Sequence, residues 1–147
     1  MDKIIFLDLD GVICLDRPDI LEPPQILNLK RILDETGAKV VLSSAWRNRD
    51  TWLNSATEQL GYFGIQIYSV TPRLLNTLSG PKYRWQEIQK WLNEHQEIGH
   101  FAIIDDDIDA ELPDDPGSFF HTDYNTDGLN HQLADQIIEY FRGVDCD

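Results

Sequence analysis

Cysteine is scarce in this sequence: Cys14 and Cys146 stand near opposite ends and match no zinc-ligand spacing. A disulfide-stapled fold is disfavoured, and a reduced, cytoplasmic setting is the simpler expectation. Positive charge is short as well. Twelve Lys and Arg face 26 Asp and Glu, giving a net charge of −14, which argues against broad coating of a nucleic-acid backbone. Gripping a single phosphate through a few local cations or a metal remains open. The histidines, His95, His100, His121 and His131, show no metal spacing. Long apolar runs are missing: no stretch is long enough to span a bilayer, and the run between Lys3 and Asp8 is too short for a signal peptide. No internal repeat or low-complexity linker interrupts the chain. Its 147 residues are therefore read as one domain, 1–147, large enough for its own core.

What is present begins with Ile4-Ile5-Phe6-Leu7-Asp8-Leu9-Asp10-Gly11. An unbroken apolar run reads as a strand buried on both faces. It stops abruptly at two carboxylates. While the backbone stays extended, Asp8 and Asp10 project to one side and Leu9 to the other. Gly11 lets the chain turn sharply and approach a ligand closely. Two like charges held together need a cation or a shared proton, and a hard divalent cation with oxygen ligands supplies one solution. An Asp-rich turn with solvated carboxylates is the plainer alternative.

Further on, Pro23-Pro24 opens a helix carrying Ile26, Leu29, Ile32 and Leu33, with Gly37 placed to end it. Lys39-Val-Val-Leu42 reads as a second buried strand, ending in Ser43 and Ser44. Asp50 is the expected N-cap of a helix with Trp52, Leu53, Ala56 and Leu60 on one face, closed by Gly61. A short exposed strand over 65–70 and a loop over 71–82 precede a helix marked by Trp85, Ile88, Trp91 and Leu92. Phe101-Ala-Ile-Ile104 is a third buried strand, and it runs into Asp105-Asp106-Asp107. After an acidic loop, 118–121 reads as an edge strand, and Leu129, Leu133, Ile137 and Phe141 stripe a last helix. Alternating strands and helices predict an α/β fold, a Rossmann-like parallel sheet flanked by helices. Ligands of such sheets bind beyond the carboxyl ends of the strands. The three best strands end in Asp-x-Asp, Ser-Ser and Asp-Asp-Asp, so the fold gathers these groups at one rim.

Such a rim suits phosphoryl transfer. A carboxylate can act as a covalent nucleophile and split the transfer into two easier steps. Magnesium shared by Asp8 and the acids after the third strand would offset the repulsion between carboxylate and phosphate dianion. Ser43 can donate to a phosphoryl oxygen, and Arg84 or Lys82 supplies a cation near the next helix. Asp10 is placed to protonate the leaving oxygen and then to take a proton from water.

Asp8-Leu9-Asp10-Gly11-Val12, a serine after the second strand, a basic residue opening a later helix and a strand ending in Asp-Asp resemble the four motifs of the haloacid dehalogenase-like phosphohydrolases. More narrowly, Leu42-Ser43-Ser44-Ala45-Trp46-Arg47, Arg84-x-x-Glu87-Ile88-x-x-Trp91-Leu92, Ile104-Asp105-Asp106 and Thr126-Asp127-Gly128-Leu129 resemble the small phosphatase-like domains of bacterial and phage RNA-repair proteins. The resemblance implies Asp8 as nucleophile and Asp10 as general acid/base, with the Asp10 main-chain carbonyl also on magnesium. It implies Ser43 at the phosphoryl group, Arg84 neutralising it, and Asp105 or Asp106 completing the metal site. Ser44, Lys82 and Arg47 are further substrate-side candidates. The basic position is Arg rather than the superfamily's more usual Lys, unless Lys82 fills it.

Plainer readings stand beside these. Either serine could cap its turn, Arg84 could pair with Glu87 one turn on, and Arg47 could lie on the surface. The tryptophans are expected to pack, with Trp46 lining the site as the alternative, and Asp109, Glu111, Asp114 and Asp115 to form a solvated acidic loop. Neither 12–38 nor 48–80 has room for a large cap domain, so the rim is expected to be open. An open rim and the resemblance favour a 5′ or 3′ phosphate end of nucleic acid, touched without an extended binding surface. The acidity favours a small phosphomonoester or nucleotide. A phosphotransferase differs only in its acceptor. A non-catalytic binding or regulatory module of the same fold is the alternative of another class, and retention of both Asp8 and Asp10 weighs against it.

Overall fold

The computed structural model describes residues 2–75, 80, 82–123 and 125–145. Strands β1 (Asp2–Leu7), β2 (Lys39–Leu42), β3 (Ile67–Val70), β4 (Ile98–Asp105) and β5 (Phe119–His121) alternate with helices α1 (Pro23–Thr36), α2 (Asp50–Tyr62), α3 (Arg84–Glu94) and α4 (His131–Asp145). The strands form one sheet in the order β3-β2-β1-β4-β5, and every pairing is parallel. The expected α/β architecture is thus present, with helices flanking a parallel sheet.

Alternation along β1 divides the core. Ile5 and Leu7 pack on one face with Leu29 and Ile32 of α1 and Ile137 and Phe141 of α4. Ile4 and Phe6 face the other way, onto Ile88 and Trp91 of α3. The Phe6 and Trp91 rings meet edge to face, their centroids 5.4 Å apart. Because both faces are covered, β1 and the inner part of β4 have no need of polar residues.

Local starts and stops differ from expectation at several elements. β4 begins at Ile98 rather than Phe101, and Ser118 belongs to a short 3-10 turn ahead of β5. α4 begins at His131, so Leu129 packs in the core before the helix rather than on it. Asp50 is the first residue of α2 rather than its cap; Arg49 holds the cap position without a side-chain bond. The helix runs past Gly61 to Tyr62, and Gly64, at φ 78°, makes the left-handed turn. β3 begins at Ile67, not 65. By contrast α1 keeps its expected ends, with two prolines in its first turn and Gly37 at φ 75° closing it on Leu33 O. The expected loop over 71–82 lies partly, and Cys146 wholly, outside the described residues.

Register brings the site together. Leu7 pairs with Leu42 on one side and with Ile104 on the other. Asp8, Ser43 and Asp105, each one residue further along, therefore end three adjacent strands at one level. The ladder continues to that level: Asp8 N donates to Ile104 O at 3.1 Å, and Ser43 N to Leu7 O at 2.8 Å. The interval after β2 holds α2 and β3, which joins the sheet, and among the described residues no large cap domain is built there.

Candidate active site

Asp8 and Asp105 are buried at the carboxyl ends of β1 and β4. With half-buried Asp106 they bring three carboxylate oxygens within 4.8 Å of one another. Asp8 Oδ1 accepts the Leu9 N–H at 2.9 Å, and Asp105 Oδ1 accepts the Asp107 N–H at 3.0 Å. These bonds fix both carboxylates against the backbone. Asp107 turns away, since its Oδ1 accepts from Asp109 N.

Burial raises the Asp8 pKa well above the ordinary carboxylate range; the Asp105 charge adds to this and Arg84 opposes it. Burial also raises Asp105, to about 7, against the lowering effects of the Asp107 N–H and Arg84. Without a cation, then, the pair retains a proton that isolated carboxylates would lose. Three hard oxygen donors, two of them buried, fit a divalent metal of the oxygen-loving kind.

Room for the third carboxylate comes from Gly11. At φ 80° it adopts a conformation that L side chains rarely adopt, and a Cβ there would fall on the Asp106 carboxylate. Thr122, just past β5, is buried and donates its hydroxyl to Gly11 O at 2.9 Å. His121 Nε2 lies 2.8 Å from Asp106 O. The turn after β1 is thus tied to the ends of β4 and β5.

Asp10 stands apart from the three clustered carboxylates and is exposed. Its Oδ1 accepts the Trp46 indole N–H at 3.1 Å. Trp46, read as a packing residue with lining the site as its alternative, is both buried and bonded to the Asp10 carboxylate. The two serines divide. Ser44 Oγ accepts from Trp46 N and caps the short 3-10 turn over Ala45–Asn48. Ser43 Oγ is buried with no hydrogen-bond partner among the described residues, which leaves its donor available to a phosphoryl oxygen.

Arg84 opens α3, and its Nη1 donates to Ser43 O and lies 3.8 Å from Asp8 Oδ1. The backbone N–H of Arg84 donates to Asp109 Oδ2 at 3.3 Å. Asp109, expected in a solvated loop, thus holds the first turn of α3, and burial raises its pKa. Lys82, half-buried, lies two residues before the helix.

Arg47, expected near substrate, turns inward instead. Its Nη2 meets Glu87 Oε1 at 2.6 Å, Nη1 donates to Ser44 O at 2.6 Å, and Nε donates to Thr71 O at 3.0 Å. Glu87 also accepts the Leu74 N–H at 2.8 Å and stands 4.0 Å from Arg84 Nε. Thr122 belongs to this site without a motif to announce it, whereas Trp46 and Glu87 stand inside the motifs over 42–47 and 84–92 without a site role assigned to them there. The sequence signs for Glu87 are its place in Arg84-x-x-Glu87-Ile88, one turn from Arg84, and a carboxylate set beside apolar Ile88.

The chain matches the family described as the HAD domain in Swiss Army Knife RNA repair proteins over residues 4–134. No match was found among curated proteins. No helix among the described residues is long and apolar enough to cross a membrane.

Proposed function

Because the chain belongs to the family of HAD domains found in Swiss Army Knife RNA repair proteins, we propose that it is a magnesium-dependent phosphomonoester hydrolase acting on phosphate ends of nucleic acid. The observation that carries this is the convergence of Asp8, Asp105 and Asp106 within 4.8 Å, beside the Arg84 guanidinium. HAD domains generally use a divalent metal, and these three carboxylates would hold it together with the Asp10 main-chain carbonyl. Bound there, magnesium would supply positive charge to the phosphoryl oxygens and to the Asp8 carboxylate.

An Asp8 carboxylate oxygen attacks phosphorus and forms the aspartyl-phosphate bond. The bond from phosphorus to the leaving oxygen breaks, its electron pair stays on that oxygen, and protonated Asp10 supplies the proton. Water then attacks the same phosphorus, Asp10 takes the water's proton, and Asp8 leaves as the carboxylate. Ser43 Oγ donates to a phosphoryl oxygen, and Arg84 neutralises charge on the transferring group. Trp46, through its bond to Asp10 Oδ1, keeps the acid/base from swinging into solvent. Arg47 and Glu87 hold the loops after β2 and β3 against α3, and so hold Arg84 in place.

An open rim and the RNA-repair family favour a polymer end as substrate. The net charge of −14 favours the second reading, a small phosphomonoester or nucleotide. A phosphate-release screen with magnesium across nucleotides, sugar phosphates, and RNA or DNA bearing 5′ or 3′ phosphates separates them. The expected result is that a phosphorylated end has the highest specificity constant. Release from small esters alone replaces the polymer reading, and release from none of them removes the hydrolase.

A further inference from the structure

Positive charge is almost entirely spent within this molecule. Arg17, Lys30, Arg31, Lys39, Lys90 and Arg142 are paired with carboxylates on the surface, while Arg47 and Arg84 are paired within the site. Arg49 and Arg73 differ. Both are exposed, and neither forms an ion pair among the described residues. On a chain of net charge −14, two unpaired arginines on one side of a catalytic rim call for an explanation.

Their placement follows from the sheet. β2 and β3 are neighbours, Leu42 pairing with Val70, so the loops that leave them run side by side at the rim. Arg47 Nε donating to Thr71 O at 3.0 Å ties those loops together. Arg49 and Arg73 each lie two residues beyond one end of that tie. On the opposite side, beyond β4 and β5, the rim carries Asp105, Asp106, Asp107 and Asp123. The rim is therefore polarised, cationic toward β3 and anionic toward β5.

An aromatic surface accompanies the cations. The Arg49 guanidinium lies over the Trp52 ring, 4.8 Å from its centroid. Trp52 is 38% exposed, and its ring centroid is 6.3 Å from that of Trp46. Trp46 in turn bonds Asp10, the acid that protonates the leaving oxygen. An unbroken path of rings thus leads from the leaving-group side of the reaction to an exposed indole beneath an unpaired arginine. Stacking on an indole suits any base, and a neighbouring arginine suits the base face or its phosphate.

We propose that Trp52, Arg49 and Arg73 form the leaving-group subsite, where a base of the phosphorylated nucleic-acid end stacks on Trp52 and the two arginines take the adjoining phosphate. The polymer then leaves the site over β2 and β3, away from the carboxylates. This deepens the polymer-end reading and rests on it. It also accounts for how a strongly acidic protein holds an anionic polymer: contact is confined to about one nucleotide beyond the reacting phosphate.

The test is equilibrium binding rather than turnover. Fluorescein-labelled RNA tetranucleotides with a 5′ or 3′ phosphate are titrated by anisotropy against the full chain carrying Asp8→Asn. Trp52→Ala is expected to weaken the tighter of the two about tenfold, with Trp52→Phe restoring most of that loss. Arg49→Ala combined with Arg73→Ala is expected to weaken it similarly and to flatten its salt dependence. Because both arginines are exposed, that double variant decides the matter even if Trp52→Ala disturbs folding. Affinities unchanged by the double variant, or no oligonucleotide binding by the parent protein, overturn the subsite. Hydrolysis of p-nitrophenyl phosphate by the unmodified chain is measured separately, and its absence would count against the hydrolase reading and not against the subsite.

Discussion

Arg47 Nη2 and Glu87 Oε1 lie 2.6 Å apart, and their side chains are only 5% and 10% exposed. A charge pair so placed is costly to break from one side, because the remaining partner stays buried and uncompensated. Removing one member of such a pair typically costs about 3–5 kcal/mol. Arg47→Met and Glu87→Leu are each expected to destabilise the protein by that order in urea unfolding. The double variant should lose clearly less than the two costs added together. Additive losses would show that the pair is not energetically coupled.

Glu87 also faces Arg84, 4.0 Å away, so its loss has a catalytic side. With Glu87→Gln the carboxylate charge disappears while a hydrogen-bond acceptor remains. The expected outcome is a fall in kcat of about tenfold, or 1.4 kcal/mol of barrier, with a smaller change in KM. Glu87→Asp should recover part of it. A kcat equal to that of the unmodified protein would assign Glu87 to stability alone.

Asp8 is the residue for which no substitute is expected to work. Asp8→Asn keeps size and can still accept the Leu9 N–H, but it removes the proposed nucleophile and one charge of the candidate metal site. Turnover should drop at least ~10³-fold, about 4 kcal/mol, with a normal melting curve. Near-native phosphate release from the purified variant would sink the covalent mechanism.

Proton linkage gives a prediction for the metal-free protein. Asp8 is raised, and Asp105 is raised to about 7 from an ordinary value of 3.8. Between those limits the folded state holds protons that the unfolded state has released, so stability must fall as pH rises. The contribution is fully present below the ordinary carboxylate range and is lost as pH passes through about 7. Melting temperature in chelator should therefore decline across pH 5 to 8, beyond what surface groups give. Millimolar magnesium, by binding the folded state, should reverse the decline. A flat metal-free profile, or one indifferent to magnesium, would remove the cation site.

Sequence made the scaffold of this site readable because each contributor sits at the abrupt end of an apolar run. Ile4–Leu7 into Asp8, Val40–Leu42 into Ser43, and Ala102–Ile104 into Asp105 mark both buried strands and their chemical ends. Placing those ends at one level required only a parallel sheet. What sequence could not supply was the direction of side chains held by partners distant in the chain. Arg47 follows a serine pair and so invites a substrate role, yet Thr71 and Glu87 draw it inward. Trp46 resembles the packing tryptophans until Asp10 is found at its indole nitrogen. Ser43 and Ser44 look alike in sequence, and only the turn capped by Ser44 tells them apart. Helix ends were less legible for a related reason. Gly61 and Gly64 are close neighbours, and the chain's exit toward β3 decides which takes the left-handed conformation.

Gly11 offers the sharpest test of how the turn after β1 serves the carboxylates. Gly11 and Gly37 have nearly the same backbone, φ 80° and φ 75°. They differ in what surrounds them. A Cβ on Gly37 meets nothing within 4 Å, whereas one on Gly11 falls on the Asp106 carboxylate. Gly37→Ala and Gly11→Ala should therefore pay a similar left-handed strain, roughly 1–2 kcal/mol, in the metal-free protein. Only Gly11→Ala forces Asp106 away from Asp8 and Asp105, so only it should lose the rise in melting temperature that magnesium produces. The relevant measurement is that rise, compared between the two variants at one pH, because subtracting the metal-free value cancels the shared backbone cost. If Gly11→Ala keeps the full magnesium increment, Asp106 is not part of the cation site, and the absence of a side chain at Gly11 serves the turn alone.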